Sequence, residues 1–355
     1  MNDFIYKLKN LHWTLIFLVF FLSLVGLVMI FSATKEEGLT ATTSQLMKLL
    51  LGFSIMFAVA ITNFNFWQKY SYLLYIIGIS FLVYATFYGF IGKGSRRWIN
   101  LLGINIQPSE IMKIFLILAL AKFFDERKME NFKEYFFLLI PIFLIILPFS
   151  IIITQPDLGT SVVLLSLGIV VFFVAGINFR FFIFCFLIFL ISSPLLWNSL
   201  HQYQRQRLLT FFDPYKDPLG AGYHIIQSEI AIGSGGFLGK GWLKGTQSHL
   251  DFLPEKKTDF IFSMLGEEFG FLGTISVIGL FILIYITGYM ISNSIEKNFF
   301  SKVVGISIIT NFFLSGTINM AMVMGLTPVV GIPLPLVSYG GSSMITYFFG
   351  FGLLL

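Results

Sequence analysis

Long runs of apolar residues alternate with short polar segments along most of this chain. Ten runs are present, at residues 14–33, 44–62, 70–91, 108–124, 135–153, 160–176, 180–198, 259–289, 302–325 and 340–355. An α-helix needs about 20 apolar residues to cross a bilayer, whereas a barrel strand needs about 10. Because a helix also satisfies its own backbone hydrogen bonds in hydrocarbon, the pattern predicts an all-α, polytopic membrane helix bundle with about ten transmembrane helices.

The segment 200–258 is the one large hydrophilic insertion between these runs. Six glycines fall within thirteen positions, from Gly233 to Gly245, and apolar residues recur too often for a disordered loop. This composition predicts short amphipathic or re-entrant helices, joined by glycine turns and folded over the ends of the spans. We therefore expect a single membrane domain over residues 1–355, with 200–258 as a large extracytoplasmic loop within it.

The overall composition excludes the soluble classes of protein. Of the 355 residues, 56% are hydrophobic and 12% are charged, and the mean hydropathy is +0.85. A soluble chain carries about 25% charged residues, so a water-soluble enzyme and a nucleic-acid-binding protein are both excluded. The single cysteine, Cys185, lies inside an apolar run, which excludes an internal disulfide and a cysteine-based metal site.

The distribution of Lys and Arg predicts the orientation in the membrane, because cytoplasmic loops are enriched in these residues. With the N-terminus inside, ten basic residues fall in cytoplasmic segments and five fall at the outer ends of spans. The inner set is Lys7, Lys9, Lys69, Lys122, Arg127, Lys128, Lys133, Arg180, Lys297 and Lys302, and the outer set is Lys35, Lys48, Lys93, Arg96 and Arg97. We therefore expect a cytoplasmic N-terminus and an extracytoplasmic segment 200–258.

A cluster of cations follows the third run, where Lys93, Arg96, Arg97 and Trp98 occupy a short outer loop. Positive charge at this place opposes the positive-inside trend, and guanidinium groups match phosphate oxygens in geometry. Binding of an anionic ligand outside the membrane is one interpretation. Binding of lipid headgroups, with Trp98 as an interfacial anchor, is the other.

Polar residues also open the fourth and sixth runs. Gln107, Glu110 and Lys113 begin the fourth, and Glu110 and Lys113 share a helix face, so they are expected to neutralise each other inside the bundle. Asp157 lies in the tight connection before the sixth run, where it would either cap the helix or hold a cation. The four histidines have no metal-binding spacing, and no metal ligand is assigned.

The main catalytic candidate lies at the start of the eighth run, where Lys256, Lys257 and Asp259 follow the long loop. At this outer position Asp259 would meet a substrate hydroxyl as a general base. The alternative is an ordinary helix N-cap at Thr258 or Asp259. The acidic pair at 267–268 lies about 12 to 13.5 Å deeper along the helix, and is expected to pack against polar neighbours.

The stretch from Gly331 to Ser343 contains prolines and glycines that break a helix. Its free backbone groups must therefore line a cavity within the protein. Ser338 and Tyr339 lie in this stretch and are candidates for substrate contact. Broken helices also occur in transporters, so the stretch does not separate an enzyme from a transporter.

Several motifs resemble those of the SEDS family (shape, elongation, division and sporulation), and together they extend over essentially the whole chain. They are Gly94-Ser95-Arg96-Arg97-Trp98, Gln107-Pro108-Ser109-Glu110, Gln155-Pro156-Asp157-Leu158-Gly159-Thr160, Ala221-Gly222-Tyr223-His224-Ile225-Ile226-Gln227, Gly245-Thr246-Gln247-Ser248, Thr258-Asp259-Phe260 and Pro335-Leu336-Val337-Ser338-Tyr339-Gly340-Gly341. The long-loop motifs favour the elongation member of the family over the division member. One departure is Lys256-Lys257, where relatives often show Arg-His.

The resemblance implies a ten-helix peptidoglycan glycosyltransferase that polymerises lipid II at the outer face of the bacterial inner membrane. It implies that Asp259 is catalytic and that Trp98 is functionally required. It also implies a class B penicillin-binding protein as partner, with other membrane proteins of the elongation complex. Further substrate contacts are expected from Arg96, Arg97, Gln107, Glu110, Lys113, Lys256, Lys257, Ser338 and Tyr339.

The implied reaction needs a base for the acceptor hydroxyl and positive charge for the departing diphosphate. Asp259 would be the base, and Arg96 and Arg97, with a divalent cation such as Mg or Mn, would neutralise the leaving charge. A lipid II flippase is an alternative that accounts for the ten spans and the broken helix. A non-catalytic scaffold for envelope assembly is another, and it would tolerate loss of Asp259.

Overall fold

The computed structural model describes residues 11–35, 38–92, 95–101, 104–127, 135–200, 202–218, 220, 222–253, 255–296 and 298–355. Ten α-helices in these residues coincide with the ten apolar runs. They are α1 (Trp13–Ala33), α2 (Thr40–Ile61), α3 (Phe64–Tyr88), α4 (Pro108–Glu126), α5 (Leu139–Thr154), α6 (Leu158–Val174), α7 (Phe179–Ser199), α11 (Ile261–Asn293), α12 (Phe299–Val323) and α13 (Ser342–Leu354). Three shorter helices lie between α7 and α11: α8 (Gln202–Phe212), α9 (Tyr223–Gly235) and α10 (Thr246–His249).

Five of the described helices, α1, α2, α3, α11 and α12, are long and apolar enough to cross a membrane by length and composition. Shorter apolar helices are α5, α6, the first part of α7 and α13. The predicted all-α polytopic bundle is confirmed, and the chain is a multi-pass membrane protein.

The centre of the bundle is formed by α4 and α12. Most α4 side chains from Pro108 to Phe124 are buried, and α12 packs against α4, α6, α11 and α13. The helix α13 lies against α2, and α11 lies against α1. By contrast, most described side chains of α7 are exposed and apolar, as expected of a surface that faces lipid.

A small antiparallel sheet connects α3 to α4, where the sequence indicated only a loop. Its strands are β1 (Phe90–Gly92), β2 (Ser95–Leu101) and β3 (Ile104–Ile106), in the order β1-β2-β3. Phe90 pairs with Trp98, and Ile99 pairs with Ile106. The strands contain three to seven residues, which is too short for a clear alternating pattern in the sequence. Lys93 lies between β1 and β2 in the sequence and outside the described residues.

The long segment 200–258 is held against an interruption in α11. Gly270 has φ 64° and ψ −158°, values that interrupt the helix and that glycine adopts readily. Backbone bonds from the loop cross this interruption: Lys240 N donates to Glu267 O at 3.0 Å, and Phe271 N donates to Gly236 O at 2.9 Å. The glycine-rich loop therefore packs directly on the helix that follows Asp259.

The acidic pair of α11 lies among polar neighbours, as the sequence predicted. Glu267 is fully buried and accepts hydrogen bonds from Lys240 Nζ at 2.8 Å and from the backbone N–H of Thr246 at 2.7 Å. Glu268 accepts from Ser32 Oγ at 2.5 Å and lies 3.0 Å from His249 Nε2. These bonds attach the loop to the bundle.

Candidate active site

A cavity of about 1230 Å³ opens at the end of the bundle where α4, α6 and α11 begin. We call it the Asp259 cavity. Its charged and aromatic lining consists of Lys48, Arg97, Trp98, Glu110, Asp157, Arg207, Asp259 and Tyr339, and Gln107 also lines it. A cavity of this size exceeds the usual range for a drug-sized ligand, about 300–1,000 Å³. It therefore has room for a bulky substrate.

Asp259 lies just before α11 and does not cap it. The helix begins at Ile261, and its N-cap residue is Phe260, which makes no side-chain cap bond, so the interpretation of Thr258 or Asp259 as the N-cap residue is wrong. The Asp259 side chain lines the cavity instead. A Cβ placed on Gly331 would lie 3.6 Å from Asp259 Oδ2, so the backbone at Gly331 approaches the carboxylate closely. The segment that precedes α11 and the broken stretch that begins at Gly331 therefore come together at this point.

The segment before Asp259 is held by the broken stretch 331–341. Ser338 Oγ donates to Thr258 O at 2.5 Å and accepts from Leu334 N at 2.8 Å. Tyr339 N donates to Lys257 O at 2.8 Å. Ser338 is buried and is not among the described residues lining the cavity, so the expected substrate contact is replaced by a role in positioning the backbone. Tyr339 lines the cavity, and its contact with substrate stays a prediction.

Asp157 joins three elements at the cavity wall. It caps α6 by accepting from Thr160 N at 3.3 Å, which confirms the capping interpretation. Its other partners are Arg97 Nη1, at 3.3 Å, and Gln107 Nε2, at 2.7 Å. Both carboxylate oxygens are therefore engaged by donors of the protein. Arg97, Gln107 and Asp157, which lie on three different elements, are brought together here.

A divalent cation does not fit this set of donors. The described residues contain no group of three or more His, Cys, Asp or Glu side chains that could hold a metal ion. Asp157 is occupied by Arg97 and Gln107, and Glu110 is occupied by Lys113. The Asp157 and Glu110 carboxylates are therefore already satisfied by groups of the protein.

The two adjacent arginines of β2 do not act together. Successive residues of a strand point to opposite faces, and only Arg97 reaches the cavity. Arg96 is exposed, and its Nη1 donates to Phe87 O at 3.3 Å. The expected joint action of Arg96 and Arg97 on a leaving group is therefore wrong in its geometry, because only one of the two guanidinium groups lies at the cavity. Trp98 lines the cavity and packs on Gly92.

Glu110 and Lys113 form the pair that their spacing predicted, with Lys113 Nζ 2.9 Å from Glu110 Oε1. Both are buried, and only Glu110 reaches the cavity. Lys113 therefore does not line the cavity, and it affects the cavity through its ion pair with Glu110.

Of the two lysines before Asp259, Lys256 is held within the long loop. Lys256 Nζ donates to Ser248 O and to Asp251 Oδ1, both at 2.7 Å. The Lys256 ammonium holds the pKa of the Asp251 carboxyl below its usual value. Neither Lys256 nor Lys257 is among the described lining residues, so the structure assigns them to the loop and does not support the substrate contacts expected of them.

Two cavity cations were missed as candidates by the sequence reading. Lys48 lies on α2, and Arg207 lies on α8 within the long segment. From the sequence, Lys48 was counted only among the basic residues at the outer ends of the spans. Its position near the start of an apolar run was itself a signal, because burying a charge in the membrane costs free energy. Arg207 had no comparable signal, because charged residues are common in a hydrophilic loop.

Comparisons with known proteins agree with this fold and cavity. The family model FtsW/RodA/SpoVE, described as cell cycle protein, matches residues 12–355. Peptidoglycan glycosyltransferase MrdB of Escherichia coli strain K12 is 39% identical over 351 residues, covering 98% of this chain and 93% of that protein. Stage V sporulation protein E of Bacillus subtilis strain 168 is 36% identical over 351 residues, covering 96% and 95%.

Two solved structures share the architecture. A chain from a peptidoglycan synthase complex, described as coordinating polymerization and crosslinking, is 30% identical, with a TM-score of 0.84 and coverage of 97% of this chain and 96% of that chain. The rod shape determining protein RodA of Thermus thermophilus is 26% identical, with a TM-score of 0.73 and coverage of 98% and 96%. The match to the family model spans nearly the whole sequence, and this chain belongs to the FtsW/RodA/SpoVE family of cell cycle proteins.

Proposed function

We propose that Asp259 is the general base of this peptidoglycan glycosyltransferase and that lipid II binds in the Asp259 cavity. The observation that carries the proposal is the shared cavity: the Asp259 carboxylate and the Arg97 guanidinium line one space large enough for a disaccharide. The relative MrdB of Escherichia coli is named as a peptidoglycan glycosyltransferase.

The proposed step is a displacement at an anomeric carbon. The 4-hydroxyl of the acceptor GlcNAc gives its proton to the Asp259 carboxylate, and its oxygen attacks C1 of the donor MurNAc. The bond from C1 to the α-linked diphosphate breaks as the β-1,4 bond forms, so the configuration at C1 inverts. The electron pair of the broken bond leaves on undecaprenyl diphosphate.

Arg97 contributes donors to the anionic part of the substrate. A guanidinium has five N–H donors, and the bond to Asp157 engages one end of it. The charge of Arg97 is offset by the Asp157 carboxylate, so this pair orients a phosphate more than it neutralises one. Trp98 would border the path of the sugar or the lipid.

The location of the site follows from the same proposal. The Lys and Arg distribution favours a cytoplasmic N-terminus. The Asp259 cavity would then open on the extracytoplasmic face of the bacterial inner membrane. A class B penicillin-binding protein would supply crosslinking, as the neighbour from the complex of polymerization and crosslinking suggests.

The test is polymerisation of lipid II by the purified chain in detergent. Wild-type protein is expected to form glycan strands, and Asp259→Asn is expected to lose about 10²- to 10⁴-fold in rate, the usual contribution of a general base. Asp213→Asn is the matched control, because Asp213 is exposed and is not a lining residue.

Polymer formation by Asp259→Asn at the wild-type rate would contradict the assignment of the base. Translocation of lipid II across vesicles without any polymer, by wild-type protein, would favour a flippase instead. Equal melting temperatures of the two variants would show that the loss does not come from unfolding.

A further inference from the structure

A lysine that the catalytic proposal does not use lies in the wall of the Asp259 cavity. Lys48 projects from α2, and its ammonium lies 4.0 Å from the centroid of the Tyr339 ring. The Tyr339 hydroxyl lies 3.3 Å from Ser44 Oγ, one turn earlier on the same helix. The helix α2 and Tyr339 therefore hold the ammonium in place together.

The positive charge of Lys48 is not cancelled by the fold. Arg97 is offset by Asp157, and Lys113 is offset by Glu110. Within the described part of the chain, the ion pairs do not include Lys48. An aromatic ring attracts an ammonium but carries no net charge. Lys48 therefore brings a positive charge to the cavity wall.

The hydroxyl of Tyr339 lies in the field of two lysines. Burial raises the pKa of Tyr339, but the hydrogen bond with Ser44 and the charges of Lys48 and Lys257 outweigh burial, and the pKa lies below its usual value. A phenol whose ionised form is favoured indicates a positive local potential.

The Lys48 ammonium is connected to the catalytic segment through Tyr339. The backbone N–H of Tyr339 donates to Lys257 O at 2.8 Å, two residues before Asp259. A Cβ placed on Gly341 would lie 3.7 Å from Lys48 Cε, so the lysine stem packs over this glycine. The position of the ammonium relative to Asp259 is therefore set by the same stretch that positions Asp259.

We propose that Lys48, held over Tyr339, binds the diphosphate of the polyprenyl-diphosphate substrate and of the released carrier. This inference rests on the proposed function. An ammonium is a compact charge with three donors and suits a group that carries several negative charges. Negative charge grows on the oxygen that leaves C1, so a fixed cation there stabilises the transition state more than the ground state.

The test measures binding without turnover. The probes are farnesyl diphosphate and farnesol, which share a hydrocarbon chain and differ in the diphosphate, bound to the purified full chain in detergent. Lys48→Met is expected to weaken farnesyl diphosphate binding by about tenfold or more, as loss of a charged hydrogen bond does. It should leave farnesol binding unchanged, and Lys48→Arg should restore most of the affinity for the diphosphate.

Matched variants separate this inference from the assignment of the base. Lys244→Met is the control, because Lys244 is exposed and is not a lining residue, and it should bind both probes as wild type does. Asp259→Asn should bind farnesyl diphosphate at least as tightly as wild type, because a negative charge is removed from the cavity, and should fail to polymerise lipid II. Wild-type affinity of Lys48→Met for farnesyl diphosphate would overturn the inference while leaving Asp259 as the base. Rapid polymerisation by Asp259→Asn would contradict the proposed role of Asp259 as the general base.

Discussion

The side-chain amide of Asn319 donates a hydrogen bond to the backbone carbonyl of Asp259, at 2.8 Å. The same nitrogen donates to Ile332 O at 2.6 Å, in the broken stretch. Asn319 is fully buried in α12 and lies outside the set of described lining residues. One side chain in the centre of the bundle therefore sets the distance between the catalytic segment and the stretch that faces it.

Replacement of Asn319 by Ala should lower the rate of catalysis more than substrate affinity. The carbonyls of Asp259 and Ile332 lose their donor, which costs about 1–3 kcal/mol for a buried group such as the Ile332 carbonyl, and Asp259 shifts relative to the acceptor. We expect kcat for lipid II to fall at least tenfold with KM little changed, since a small misplacement has large effects on rate. Asn311→Ala is the control, because Asn311 is also buried in α12 but about 12 Å away along the helix. Equal loss of kcat in both variants would show a general effect of destabilisation.

Gly331→Ala should affect activity through the Asp259 carboxylate. Gly331 has φ +72°, and an added Cβ would lie 3.6 Å from Asp259 Oδ2. The backbone strain of alanine at such a φ is about 1–2 kcal/mol. Gly38→Ala is a matched control, because Gly38 has φ +78° and no described atom within 4 Å of the added Cβ. We expect similar changes in melting temperature for both variants and a several-fold loss of polymerisation for Gly331→Ala alone. Full activity of Gly331→Ala would show that the carboxylate tolerates a methyl group beside it.

The neighbours Arg96 and Arg97 should differ in their importance. Arg97→Gln removes a donor from the cavity and leaves Asp157 buried without its cation, and loss of one partner of a buried pair costs about 3–5 kcal/mol. Since Arg97 is itself partly exposed, the cost should lie below this range. We expect a large fall in kcat/KM for Arg97→Gln and a value near wild type for Arg96→Gln. Initial rates of glycan synthesis, with melting temperatures, check this. An equal loss in the two variants would contradict the separation of the two side chains by β2.

The buried Glu267 should stabilise the long segment. Its carboxylate accepts from Lys240 and from backbone N–H groups of α10. Glu267→Ala leaves those donors without their acceptor, so thermal unfolding should occur at a clearly lower temperature. The double variant Glu267→Ala with Lys240→Met measures the coupling between the two side chains. Asp251→Asn, which breaks an exposed pair with Lys256, should have a much smaller effect. Additive effects of Glu267→Ala and Lys240→Met would show that the pair is not coupled.

Much of the fold was determined by the sequence alone, because a segment that crosses lipid must satisfy its own backbone hydrogen bonds and therefore forms a helix. Each apolar run long enough to cross a bilayer became a helix of the bundle. The motifs resembling the SEDS family identified the family correctly. The Glu110–Lys113 pair was predictable too, since residues three apart share a helix face.

The composition of the cavity was decided by tertiary structure. Arg96 and Arg97 are adjacent in sequence, yet their side chains lie on opposite faces of β2, and only Arg97 lines the cavity. Lys48 and Tyr339 are far apart in sequence, and they meet because α2 packs against the helix that follows Tyr339. Apolar periodicity determines which segments enter the membrane, but the neighbours of a side chain depend on how the helices pack, and no local pattern encodes that packing.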